Sequence, residues 1–143
     1  MFRLSTKADY GLILLSALAH TRGGAKVVHR EHPAGESGKF VSISSVAKKN
    51  KISSKFLSQI ANELKKAGMI SAKEGITGGY MLAKSAKQIK IIDVLKTLDG
   101  ELVMGECFED DHECNCGGRD IWMDMKKQME ETISKKTVAD LVA

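Results

Sequence analysis

The amino-acid sequence predicts a mostly α-helical protein with a small β wing: a winged helix-turn-helix body followed by a long C-terminal helix. Three observations predict it. A short capped helix and a longer one are separated only by a tight turn across residues 42–68. A glycine-rich turn between two short apolar runs follows at once, over 69–83. A four-residue apolar repeat then marks a long helix over 119–134. The 143 residues suffice for one core, and 43% hydrophobic with 28% charged residues is a globular composition, too apolar for intrinsic disorder.

The first helix is expected over residues 6–20. Thr6 and Asp9 make a capping box of the Ser/Thr-x-x-acid kind, and Tyr10, Ile13, Leu14, Ala17 and Leu18 share one stripe. Gly23 and Gly24 permit its end. Residues 22–41 fit either a short hairpin or a loop, with Val27-Val28 and Phe40-Val41 flanking a polar stretch that holds the single proline. His29 and His32 in that stretch read as surface histidines.

Ser42 is placed to cap a short helix over 43–49, buried through Val46 and Ala47. Asn50-Lys51 is the turn, and Ser53 caps a second helix over 54–67 that Gly68 stops. Phe56, Leu57, Ile60 and Leu64 form its core-facing stripe. The opposite face carries Ser54, Lys55, Ser58, Gln59, Asn62, Lys65 and Lys66. Amides pair two-handedly with adenine edges, hydroxyls meet several bases and lysines hold phosphates. Such a face suits the major groove of double-stranded DNA. A merely solvated helix is the plain alternative; the capped helix and tight turn that precede it favour the groove.

Residues 69–83 are expected to form a hairpin, Met69 to Lys73 and Tyr80 to Ala83, around Glu74-Gly75-Ile76-Thr77-Gly78-Gly79. A hairpin in this place is a wing, with Lys73 and Thr77 set to meet the DNA backbone. No Gly-Lys-Ser/Thr follows Gly78-Gly79, which argues against a nucleotide-cradling loop. Ile92, Leu95 and Leu98 mark a helix over 89–99. On the long helix Ile121, Met125, Met129 and Ile133 repeat every four residues, with Trp122 beside them. That stripe faces either its own core or a second copy. A DNA-reading domain of this size grips two half-sites as a dimer, which favours the copy. Thr137 with Asp140 repeats the capping-box pattern for a closing turn.

Charge divides the chain. Residues 1–100 hold 17 Lys/Arg and 7 Asp/Glu, whereas residues 101–143 hold 5 and 11. A basic body with an acidic end points to a polyanion partner for the body. The expected organisation is therefore a DNA-binding body over 1–100, a cysteine loop over 101–118, and a dimerisation helix with tail over 119–143. The longest apolar run, near 12–19, is too short to cross a bilayer, and the start lacks a signal-peptide layout, so a cytoplasmic protein without a membrane partner is expected. No Ser-His-acid set, nucleotide loop or paired-carboxylate site stands out, so an enzyme is not expected.

All three cysteines fall within ten residues, Cys107, Cys114 and Cys116, among Glu106, Glu109, Asp110, Asp111 and Glu113. An odd count excludes a full disulfide framework, and clustered cytosolic thiols point to metal or redox chemistry. Three readings stand. An iron–sulfur cluster, 2Fe–2S or 4Fe–4S, would need a ligand beyond the three thiolates. A zinc site would add His112, which is also a candidate ligand for the cluster. Free thiols would act as an oxidant switch.

The segments FRLSTKADYGLILLSALA, ISSVAKKNKISSKFLSQIANELKKAGMI, EGITGGYMLA and IKIIDVLKTLDGEL follow one another in order. Together they resemble the IscR/NsrR/CymR family of bacterial winged-helix regulators (the Rrf-two family), from Phe2 to the closing TVADLV. The resemblance implies a homodimeric transcription factor that binds a palindromic operator, with the long helix crossing to the partner. The opening RLSTKADYG is similar to the subgroup that regulates iron–sulfur assembly. Cluster-binding members place three cysteines in this loop, and the cluster controls operator affinity. Asp9 occupies the position of an acidic ligand that some members supply across the dimer. Cysteine-metabolism members instead sense a small ligand or partner enzyme. Two positions depart from the pattern. Glu74 stands where the wing usually carries arginine, and Arg119 stands where other members carry a ligating histidine.

Overall fold

The computed structural model describes residues 4–20, 40–76, 78–102 and 117–143. Helix α1 is Thr6–His20, α2 Ile43–Asn50 and α3 Ser54–Lys66. Strands β1, Ile70–Lys73, and β2, Gly79–Leu82, form an antiparallel wing that pairs Ile70 with Leu82 and Lys73 with Gly79. Helix α4, Ile91–Asp99, and helix α5, Arg119–Ser134, follow. Single 3-10 turns occupy Ala86–Gln88 and Val138–Leu141. The mostly helical class with a small wing is as expected.

Helix α1 spans the expected residues 6–20, but its cap differs from the expected one. Ser5, not Thr6, is the cap: its Oγ accepts the Ala8 N–H at 3.0 Å, and its carbonyl accepts the Asp9 N–H at 3.1 Å. Thr6 is already helical, and the Asp9 side chain is exposed. A tertiary contact makes the choice, because the Ser5 hydroxyl also donates to Asp99 Oδ1 at the end of α4.

One apolar core holds the body. Ala8, Leu14, Leu15 and Leu18 of α1 meet Leu57, Ile60, Ala61 and Leu64 of α3 and Val94, Leu95 and Leu98 of α4. Gly11 lets Leu98 of α4 pack directly on α1, since a Cβ there would lie 2.3 Å from Leu98 Cδ1. Phe56 is half-buried rather than fully inward, its ring meeting Tyr10 edge-on at 5.8 Å between centroids.

The wing has a third participant. Val41, just ahead of α2, exchanges two backbone hydrogen bonds of 2.8 Å with Tyr80. Gly79 makes room for it: φ is +144°, and a Cβ there would sit 2.5 Å from the Val41 carbonyl oxygen. Val41 thus closes the stretch that hairpin and loop fitted equally; residues 21–39, with His29 and His32, lie outside the described residues. Helix α4 starts two residues later than expected, after the Ala86–Gln88 turn, in which the Gln88 side chain accepts the Ser85 N–H at 3.2 Å.

The capping box at Thr137 forms as its sequence indicates, with Asp140 Oδ2 accepting the Thr137 N–H at 2.8 Å. It seats Val138, which is fully buried in the same core as α1. The Ile91 N–H donates to the Lys136 carbonyl, and the Val138 N–H to the Ile89 carbonyl, both at 2.9 Å. Residues 137–141 therefore pack on the 1–100 body, although the sequence division grouped them with the dimerisation helix.

The Thr137 N–H, then the Thr137 hydroxyl, hold the Asp140 carboxyl below its ordinary value of 3.8. A lowered folded-state value gives stability present above that ordinary value and lost as pH falls through the folded one. Asp140→Ala should lower the melting temperature at pH 7, and its difference from the wild type should close as pH falls below 3.8 in a thermal-melt series.

Candidate nucleic-acid interface

Local capping sets the helix-turn-helix. Ser42 Oγ accepts the Ser45 N–H at 3.4 Å, and the Ser45 hydroxyl returns to the Ser42 carbonyl at 2.7 Å. At the other end of α2, Asn50 Nδ2 donates to the Val46 carbonyl at 2.9 Å. Lys51 takes the left-handed conformation, φ 55° and ψ 41°, and the buried Ile52 donates its N–H to the Ala47 carbonyl at 2.9 Å. Ser53 Oγ then accepts the Phe56 N–H at 3.4 Å to start α3. The chain turns in three residues because one side chain, one left-handed residue and one buried anchor each take up a helix-end group.

Burial of Leu57, Ile60, Ala61 and Leu64 fixes which side of α3 faces out. Ser54, Lys55, Gln59, Asn62, Lys65 and Lys66 are exposed, and Ser58 is half-buried. The expected groove residues on α3 therefore share one outward side. Glu63 is the sole carboxylate of α3, and Lys7 of α1 holds it at 2.7 Å. The face thus offers donors, amide acceptors and cations, with its one negative charge neutralised by an ion pair to the body.

Lys73 is exposed on β1, its Nζ 5.6 Å from the centre of the Phe40 ring. Thr77 lies outside the described residues; Glu74 and Ile76 beside it are exposed. Sequence reasoning passed over Lys48, Lys49 and Lys51. All three are exposed, and none has an ion-pair partner among the described residues. The signal was present, since residues 40–62 hold four lysines and no Asp or Glu.

The metal-ligand candidates Cys107, His112, Cys114 and Cys116 lie outside the described residues. Among the described residues, no group of three or more His, Cys, Asp or Glu gathers to hold a metal. Asp9 lies one helical turn beyond Ser5, and Ser5 touches Asp99. Asp9 therefore sits at the end of the body from which residues 103–116 depart. Among the described residues its carboxylate takes no capping bond, and Ser5 supplies the cap.

On α5 the apolar stripe divides. Met129 and Ile133 are half-buried, while Ile121, Trp122, Met123 and Met125 are 44–62% exposed. No described helix is long and apolar enough to cross a membrane.

A family model described as Rrf2, an iron-dependent transcriptional regulator, matches residues 4–143. The chain belongs to the Rrf2 family of transcriptional regulators. Such proteins bind DNA and are not enzymes. Protein rrf2 of Nitratidesulfovibrio vulgaris is 32% identical, over 98% of this chain and 87% of its own length. The structure of CymR, described as the global cysteine regulator of B. subtilis, is similar at a TM-score of 0.77 and 27% identity, covering 99% of this chain and 97% of that one. T. potens IscR is similar at 0.73 and 28%, covering 99% and 86%.

Gln59 is exposed on the outward side of α3, halfway along the helix. Gln59→Ala should weaken binding to a selected operator by about 1–3 kcal/mol, the discrimination one two-handed base contact supplies. Binding to a scrambled duplex should barely change; a gel-shift titration of both duplexes checks this.

Proposed function

We propose that this Rrf2-family regulator is a cytoplasmic homodimer. It places the α3 face, Ser54, Lys55, Ser58, Gln59, Asn62 and Lys65, in the major groove of each half of a palindromic operator. Lys73 and Thr77 of the wing meet the adjoining backbone. An iron–sulfur cluster on Cys107, Cys114 and Cys116 sets operator affinity. The observation that carries the groove reading is the α3 face itself, polar and cationic with its one carboxylate paired to Lys7.

The dimer is supported by α5. Four large apolar side chains at its N-terminal half meet solvent in one protomer, and a two-fold operator needs two recognition helices. A second copy is the occupant argued for, since one self-complementary surface then serves both subunits. Trp122→Glu should give a monomer by light scattering and a loss of palindrome binding, with the body still folded by circular dichroism.

The donor chemistry fits an iron–sulfur cluster. Three thiolates supply soft ligands, and Asp9 or His112 completes the set. Asp9 is exposed, takes no capping bond among the described residues, and lies one helical turn beyond Ser5, which touches Asp99 at the end of α4. When bound, the cluster supplies sensitivity to iron, oxygen or nitric oxide. The likeness to CymR supports a second reading, in which the same thiols respond to oxidation or a small ligand without a cluster. Protein purified without oxygen should be brown with iron and sulfide, and Cys107→Ala should be colourless. A wild type that stays colourless after reconstitution with iron and sulfide would favour the second reading.

A further inference from the structure

We propose that Lys51, with Lys48 and Lys49 beside it, is a clamp for DNA backbone phosphates at the corner of the helix-turn-helix. The inference rests on the groove reading of α3 and adds a site outside that face. It begins with the backbone. Lys51 is the one non-glycine residue with positive φ among the described residues. The left-handed region crowds a Cβ, and glycine occupies it without that cost.

Among the described residues the Lys51 side chain has no ion pair. To the closing of α2, Lys51 contributes its backbone N–H, which reaches the Ala47 and Lys48 carbonyls. Glycine would supply the same N–H with less strain. Strained residues that the fold does not need cluster at functional sites. The negative end of α2 accounts for cations at Lys48 and Lys49, and that favour is already met before a third is added at Lys51.

Charge and position point to the ligand. Lys48, Lys49, Lys51 and Lys55 are exposed within eight residues, with no ion-pair partner among the described residues. Like charges held this close repel, and a polyanion relieves the repulsion. Lys51 lies three residues before Ser54, the first residue of α3. Three residues span at most about 11 Å, and the N-terminal turn of a recognition helix is the part that enters the groove. The flexible stem of lysine carries its ammonium across the remaining distance to the phosphates lining that groove. A contact of this kind positions the protein and carries no sequence information.

The test uses the full-length protein and two labelled duplexes: one selected by the wild type from a random pool, and its scrambled counterpart. Lys51→Gly should melt at or above the wild-type temperature and bind both duplexes more weakly. Its plot of log affinity against log salt should be shallower by about 0.9 for each Lys51 engaged. That corresponds to roughly an eightfold weakening at 0.1 M salt relative to 1 M per contact. Lys51→Arg should restore affinity and slope. Unchanged affinity and slope in Lys51→Gly would overturn the clamp, as would Lys51→Arg binding no better than glycine. A loss confined to the selected duplex with an unchanged slope would also overturn it, since that is base reading. The groove reading fails separately, if Gln59→Ala leaves binding to the selected duplex unchanged.

Discussion

The close approach of α1 to its neighbours is the constraint on which the rest of the body depends. At Gly11 the missing side chain lets Leu98 of α4 come down on one side while Ile60 of α3 lies against the same point. Three helices meet where only a hydrogen fits. Around them no polar or charged residue is buried among the described residues, so shape rather than a hydrogen-bond network sets their angles. The magnitudes agree. A fully buried leucine such as Leu14 or Leu57 contributes about 1.5–3 kcal/mol, whereas a partly exposed ion pair such as Lys7–Glu63 contributes about 0–1. The ion pair trims the charge of α3; the apolar contacts aim it.

The same junction joins the end of α4 to α3. Asp99 closes α4 beside Ser5, and Leu98, its neighbour in sequence, sits on Gly11. Ile60, which adjoins Gly11 from α3, directly follows Gln59. The C-terminal end of α4 is thus linked to the outward α3 face through a few packed side chains. Packed cores deform poorly, so a displacement of α4 has little slack in which to be lost before it reaches α3.

Much of this was legible because it is written locally. Ser42, Ser53 and Thr137 cap what their sequence positions indicate, and the α3 face follows from Leu57, Ile60 and Leu64 alone. The errors fall where a distant residue decides. Ser5 and Thr6 both satisfy a capping pattern, and Asp99 selects Ser5. Lys90 pairs with Thr137, which holds the approach to α4 extended and delays the helix to Ile91. Val41 finds Tyr80 across the wing, a partner no local pattern announces. At the turn, Asn50 is the better left-handed residue by type, yet Lys51 takes that conformation while the Asn50 amide caps Val46. The lysines of the corner were overlooked because charge on a helix end ordinarily needs no explanation; only the backbone angle makes Lys51 unusual.

Val138 has a consequence for the order in which the protein folds. Among the described residues every other fully buried large side chain of the core precedes residue 103, so a ribosome delivers α1 to α4 and the wing before the residue that completes their packing. A chain broken off in the cysteine segment leaves a hole between α1 and the approach to α4 where Val138 packs. The packing around Val138 therefore forms only after residue 138 has been added.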